Sequence, residues 1–376
     1  MRWPWVWQRP HHLISRFAEQ RAKTGARTWF VEEPIAGPVE DATIFSERSG
    51  PITRVWLEVP GVNDPTDSIS FTDPRAVRYG ELLAALIEQQ GCQSAPDRWL
   101  YTPMAYDIAQ HLGNGRLVYD VMDDLSAFRY APEGLRLRQR QLLSGADIVF
   151  TGGRSLHRST LNQRHRGVHL FPSGVESEHY ATSRRLRMPR DRKVAGYVGV
   201  IDERLDLELL AAMAAALPDW SVQVVGPVVK IDKSLLPAGK NLSYPGLVAY
   251  DDLPHVMAGF DVALMPFALN EATRAISPTK TLEYLAAGLP VVSTRIADVV
   301  TDYAEVVHFA DDGKGFANAC VEVVTHRLSE RDRRLRPIQA RQEWDYIAAS
   351  MADLLDEVGG AAGCQSYAAG AQDVSA

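Results

Sequence analysis

The sequence predicts two doubly wound α/β domains in series, each built on a parallel sheet and facing the other across a cleft. Three observations predict it. Short apolar runs alternate with amphipathic stretches along most of the chain, the rhythm of βαβ units. The rhythm breaks once, at the polar and strongly basic segment ATSRRLRMPRDRK (181–193), and then restarts. The chain has 376 residues, too many for one ordinary core and suited to two domains.

In the first half, strands are expected at TWFVEE (28–33), TRVWLEV (53–59), RWLY (98–101), RLVYDVM (116–122) and ADIVFTG (146–152). Helical patterns lie between them at 76–90 and 134–145. After the break, strands are expected at 194–200, 221–227, 241–247, 261–267, 290–294 and 306–310. Helices fall near 204–217, 251–258, 278–288 and 313–328. The expected division is a first domain over 1–175 and a second domain over 176–332. A long helix at 333–358, kinked at Pro337, packs back on the first domain, and a small, polar, disordered tail follows at 359–376. Open sheets of this type bind ligands beyond the carboxyl ends of their strands, so the cleft is where chemistry belongs.

Composition excludes several classes. A net charge of −7 argues against a dedicated nucleic-acid binder. Cys92, Cys320 and Cys364 are widely spaced and odd in number, which gives no disulfide framework or zinc spacing and suits a reducing cytoplasm. No apolar run approaches the roughly 20 residues that span a bilayer, and the first residues carry no signal-peptide pattern.

The richest stretch is NEATRAISPTKTLEYLAAGLPVVST (270–294). Ser277 is a good N-cap and Pro278 suits the first helical position; Gly288 and Pro290 stop the helix. With Thr279 between, Lys280 falls at the third position, where a cation opposes the helix dipole by roughly 0.3–1 kcal/mol. A bound phosphate offsets that cost. Glu283, one turn on over the same face, can accept hydrogen bonds from ribose hydroxyls. The stretch therefore reads as a site for a nucleoside diphosphate. A plain surface Lys–Glu i,i+3 pair is the other reading.

The segment SPTKTLEYLAAGLPVVST resembles the SP-x-K-x-x-E-Y-x-A-x-G-x-PVV element of family-4, group 1 glycosyltransferases of the GT-B fold. VAGYVGVIDERLDLELL (194–210), WSVQVVGP (220–227) and LFPSGVESEHY (170–180) resemble further elements of that family in the same order. The resemblance implies that Lys280 binds diphosphate, that Glu283 binds ribose, and that Arg204, just after the Gly199 turn, is a second phosphate-binding cation. It places Gly226 and Pro227 near the nucleobase. The family often carries a glutamate eight residues before the ribose glutamate; here that position is Ala275, with Asn270 and Glu271 one turn earlier as substitutes. A nicotinamide-dependent dehydrogenase would want G-x-G-x-x-G after a strand, and only Gly196 and Gly199 are offered.

The opening MRWPWVWQRPHHL resembles the QRP-x-H-L element of a subgroup of that family, where it follows an apolar first strand. No such strand precedes it here, so the first strand of the first sheet is expected to be missing. Trp3, Trp5, Trp7, Gln8, Arg9 and His12 are then expected to line the cleft on the acceptor side. In VYDVMDDLSAF (118–128), Asp120, Asp123 and Asp124 crowd a strand end, where like charges raise a pKa and suit proton handling. The acceptor-activating role falls to Asp123, Asp124 or His12, or the acids simply cap the next helix. The resemblance implies a retaining transfer from a nucleotide-diphosphate sugar to a glycan or lipid-linked acceptor in bacterial envelope or exopolysaccharide synthesis, with no metal and no cofactor. Hinge motion is expected near 173–193 and at the last helix. Basic runs at 134–140 and 183–193 offer peripheral membrane contact or a solvated basic face. A nucleotide-sugar epimerase of the same fold and a non-catalytic relative are the alternatives.

Overall fold

The computed structural model describes residues 2–3, 6–62, 69–92, 94–125, 134–276, 279–325 and 340–363. The chain enters on helix α1 (Arg9–Ala22), with Pro10 in the first turn. Next come β1 (Thr28–Val31), β2 (Ile35–Gly37), β3 (Thr43–Ser49) and β4 (Ile52–Pro60). Strands β1 and β2 pair in parallel, end to end, with β4, and β3 pairs antiparallel with it. Helix α2 (Tyr79–Gln89) leads to β5 (Arg98–Leu100), α3 (Tyr106–Gln110), β6 (Leu117–Val121), α4 (Leu135–Gly145), β7 (Ile148–Thr151), α5 (Arg154–Leu161) and β8 (Val168–Leu170). Strands β5 to β8 form a second parallel sheet in chain order. Both β6 and β7 are buried along their whole length, which is why they read as unbroken apolar runs.

Helix α6 (Ser177–Leu186) opens the second half. It is followed by β9 (Val194–Val198), α7 (Leu207–Ala216), β10 (Ser221–Val225), β11 (Leu242–Gly246), α8 (Leu253–Ala258), β12 (Val262–Met265), α9 (Lys280–Ala286), β13 (Val291–Ser293), α10 (Ala297–Tyr303), β14 (His308–Phe309), α11 (Gly313–Val323) and α12 (Trp344–Gly363). The sheet is six-stranded and parallel, in the order β11-β10-β9-β12-β13-β14. Its first strand is central and the order reverses beside it, the switch point at which such sheets bind ligands. One continuous core runs from Val194 and Leu210 through Leu264 and Leu285 to Phe316.

Helix α12 returns to the first half. Trp344, Ile347, Met351 and Leu355 pack with Leu13 and Phe17 of α1 and with Val118, Ile148 and Phe150 of the sheet. The two crossings between the halves lie side by side: the Val175 amide donates to the Gln342 carbonyl at 2.8 Å and the Trp344 amide to the Val175 carbonyl at 3.2 Å.

Several local expectations are corrected. Helix α6 occupies the first part of the segment read as an irregular break, and Arg184, Arg187, Arg190 and Arg192 bind backbone carbonyls at the ends of α9 and α8 and in the loop after α7. Arg184 donates to the Leu285 and Ala286 carbonyls, Arg187 to Ala287 and Gly288, Arg190 to Ala258, and Arg192 to Pro218, Asp219 and Trp220. Cations at helix C-termini satisfy orphan carbonyls and the dipole together. The run is therefore engaged with the protein's own backbone. In the other basic run, Arg138 is paired with Asp107. Polar edge strand β3 and short β2, β8 and α5 gave no period-2 or long helical signal. Helix α12 begins at Trp344 and continues through Gly363, so 359–363 are helical, contrary to the expected disordered tail. Pro337 and residues 364–376 lie outside the described residues.

Candidate active site

The site forms where β9 and β10 end. Gly226 follows β10 with φ +145°, and a Cβ there would sit 1.9 Å from the Gly199 carbonyl oxygen. Only glycine allows the two strand-end loops to approach so closely. A Cβ on Gly199 would in turn meet the Lys280 Cε at 2.8 Å. Lys280 thus lies across the end of β9, with its side chain 19 % exposed.

The helix carrying Lys280 is pinned there by Tyr284, which sequence reasoning overlooked. Its buried hydroxyl accepts from the Val198 amide at 2.8 Å and donates to the Val198 carbonyl at 3.1 Å. A phenol with both hydrogen bonds met inside a core fixes α9 against the last residue of β9. Its signal was present as the tyrosine directly after Glu283. The Lys280 Nζ donates to Glu283 Oε2 at 3.3 Å. This is the i,i+3 pair of the bland reading, but it is not on the surface, since the Glu283 side chain is 10 % exposed. Described α9 starts at Lys280, so the lysine is the first helical residue rather than the third, and the helix has 7 residues. Ser277 and Pro278 lie outside the described residues; Thr279 is the cap residue and its carbonyl accepts from the Leu282 and Glu283 amides.

Arg204 reaches the same region from the loop after β9. Asp202, itself buried, holds it through contacts of 2.7 to 3.1 Å. Across the groove, Asp123 lies just beyond β6. Burial pushes its carboxyl up to about 6; Asp202 and Asp124 add to the rise, while Arg204 and Lys230 oppose it. Lys230 is held at φ +63°, unusual for a residue with a side chain. The ends of β6 and β9 therefore face each other with mixed charge between them. Arg274 continues the crossing, 3.8 Å from Asp124 and 3.1 Å from Glu271. Asn270 donates to the Glu203 carbonyl at 3.1 Å and braces the turn at Thr273, and Ala275 packs among side chains of the first half.

The N-terminal residues behave otherwise. Arg9 and Asp120 do not form an acceptor surface: they are 3 % and 0 % exposed and bind each other at 2.9 Å, and Arg9 also donates to the Phe171 carbonyl. Burial raises the Asp120 carboxyl, with Arg9 opposing. The pair ties α1 to β6. The Gln8 amide donates to His11 Nδ1 at 3.2 Å and closes the first turn. Trp3 packs on Trp7, His11 and Phe30, and Trp7 stacks on Tyr250 of the second half. Trp5 lies outside the described residues.

His12 is corrected as a proton carrier. It stacks on Trp344 at 4.9 Å and touches Trp7 and Tyr250 edge-on, in the joint between the halves. Burial pushes it down to about 3, against a partial pull upward from Glu176. The folded ring is neutral at physiological pH and a poor base. Below the unfolded value of about 6.5 the unfolded chain takes up a proton that the folded one refuses. Stability therefore falls as pH drops from there. His12→Phe is expected to flatten that acid limb by about 2 kcal/mol between pH 7 and pH 5, measured by urea unfolding of both proteins. An unchanged limb would mean that the ring is not held neutral.

Two α/β halves joined by paired crossings, with a glycine-floored site at the second half's switch point, have the GT-B fold. Residues 192–326 match the family described as glycosyl transferases group 1. TuaH of Bacillus subtilis, named as a teichuronic acid biosynthesis glycosyltransferase, is 29 % identical over 242 residues, covering 59 % of each chain. The chain spans 59 % of the length of the curated relatives it matches. Among solved structures, sucrose-phosphate synthase from Thermosynechococcus elongatus superposes with a TM-score of 0.70 at 16 % identity, over 94 % of this chain and 93 % of that one. Anabaena HepE in complex with UDP and glucose gives a TM-score of 0.60 at 17 % identity, over 81 % and 86 %. Among the described residues, no helix is long and apolar enough to cross a membrane.

Proposed function

We propose that this protein transfers a sugar from a nucleoside-diphosphate sugar to a hydroxyl acceptor, with retention at the anomeric carbon. The observation that carries the reading is Lys280 lying across the Gly199 end of β9, where Gly199 and Gly226 bring two strand-end loops together. As the glycosidic bond breaks, negative charge collects on the leaving diphosphate. Two positioned cations, with side chains 19 % and 25 % exposed, favour that charge more than the ground state. They supply the positive charge, so the proposal needs no metal. Glu283 binds the ribose hydroxyls once the diphosphate draws Lys280 away from it. Asp123, facing the second domain from the end of β6, takes the acceptor proton.

The UDP and glucose held by HepE, which shares this fold, support a nucleotide-sugar donor. The naming of TuaH supports an envelope polysaccharide as the product. A free Cys92 and a buried free Cys320 suit a reducing cytoplasmic setting. Binding is tested by melting the protein with UDP, GDP and ADP. The matching diphosphate at about 100 times its Kd adds about 2.7 kcal/mol of stability. Failure of all three favours the non-catalytic reading. A labelled donor incubated with and without candidate acceptors separates transfer from epimerisation, because an epimerase converts the sugar with no acceptor present.

A further inference from the structure

Helix α5 begins without a cap of its own. Its cap residue is Gly153, which has no side chain to offer, and its first turn holds no acid. The missing acceptor comes from the other half. Asp298, in the first turn of α10, accepts from the Ser155 amide at 3.1 Å and from the Ser155 hydroxyl at 2.6 Å. Ser155 is the second helical residue, and its amide is one of the two that a cap side chain ordinarily meets. Asp298 is 4 % exposed, so the carboxylate is seated in the joint rather than in solvent. Beside it Arg154 pairs with Asp302, and Tyr303 at the end of α10 donates to the Gln342 side chain at 3.1 Å. The Gln342 carbonyl in turn takes the Val175 amide in the paired crossings, so α10 runs from the crossings to the first half.

Each partner is fastened to one side of the groove. The Gly152 amide donates to the Val121 carbonyl at 2.9 Å, which sets the start of α5 beside the end of β6, where Asp123 lies. In the second half, the Thr294 hydroxyl, just ahead of α10, donates to the Phe267 carbonyl at 2.8 Å, and the Ala268 amide donates to the Arg204 carbonyl at 2.8 Å. We propose that Asp298 is a positioning residue for the transfer: by capping α5 from across the joint, it holds the Asp123 end of β6 at its working distance from the Arg204 loop. A carboxylate and a helix N-terminus attract each other, and this bond exists only while the halves keep their angle. Losing it shifts the population toward arrangements with a wider groove. The effect on turnover rests on the proposed donor site and on Asp123 as the base; the effect on shape does not.

Asp298→Ala, Asp298→Asn, Ser155→Ala and the double alanine variant are compared with the parent chain. Small-angle scattering of the ligand-free proteins is expected to give a larger radius of gyration for Asp298→Ala and, in smaller measure, for Ser155→Ala. Turnover of the labelled donor falls by about 2- to 30-fold in Asp298→Ala, the range that loss of a helix cap gives. The Kd for the best binder among UDP, GDP and ADP stays within about twofold, because the residues proposed to hold it all belong to the second half. Asparagine ranks with aspartate as a cap, so Asp298→Asn recovers most of the shape and the rate. The double alanine variant is no worse than Asp298→Ala alone, since the two residues share one contact. Additive losses refute the pairing. A radius of gyration unchanged in both alanine variants refutes the positioning role, as does a diphosphate affinity that falls in step with turnover. Should Asp298→Ala fail to fold, Ser155→Ala and Asp298→Asn carry the same comparison. A parent chain that binds none of the three diphosphates removes the donor reading, and the radius of gyration then decides this inference by itself.

Discussion

Lys280→Met is expected to weaken nucleoside-diphosphate binding by about 10- to 100-fold, because it removes one charge-assisted contact to phosphate. Binding of the bare nucleoside is expected to change much less, since the contact proposed for Lys280 is to the phosphates. The loss in kcat/KM is larger, about 10²–10³, because the leaving diphosphate carries more charge in the transition state than in the bound donor. Calorimetry with nucleoside and nucleoside diphosphate, alongside transfer rates, gives both figures. The variant has a structural side effect. Lys280 also neutralises Glu283, which is largely buried, and a lone carboxylate there is costly. The double variant Lys280→Met with Glu283→Gln removes that cost. If the double variant recovers diphosphate affinity, Lys280 serves only to neutralise Glu283, and the donor site as described is wrong.

This donor half was legible because it is local. Thr279 to Thr294 is one helix start, one helix and one strand, so residues that act together are also neighbours in the sequence. The boundary was the weak point: Lys280 was read at the third helical position and stands at the first described one. The N-terminal half was not legible for the opposite reason. Arg9 and Asp120 are 111 residues apart, and an arginine beside prolines and histidines looks the same whether it greets a phosphate or lies buried against a carboxylate. The basic run at 183–193 misled in the same way. Its arginines find carbonyls in α9 about 100 residues on, and composition records the charge but not its partner. Tyr284 was passed over because an apolar ring on a buried helix face announces packing; its hydroxyl's bonds to Val198 are tertiary.

Asp123→Asn is expected to lower the transfer rate by about 10²–10⁴, the usual range for removal of a general base. Binding of the nucleoside diphosphate is unchanged or tightened, since a negative charge facing Arg204 and Lys230 is lost. That contrast separates it from Lys280→Met, which loses binding and rate together. The pH profile is the sharper readout. Burial holds Asp123 up to about 6, with Asp202 and Asp124 on the same side and Arg204 and Lys230 against. A base acts only when deprotonated, so the wild-type rate is flat near neutrality and falls about tenfold per unit as pH drops below that value. An ordinary aspartate, at about 3.9, would keep the rate flat two units further down. The asparagine variant cannot titrate, and its low residual rate must lose this limb. Asp123→Glu keeps a titrating group in a displaced position and recovers part of the rate with the limb intact. If the asparagine variant keeps the same limb near 6, another group takes the proton and Asp123 serves only the charge balance of the groove.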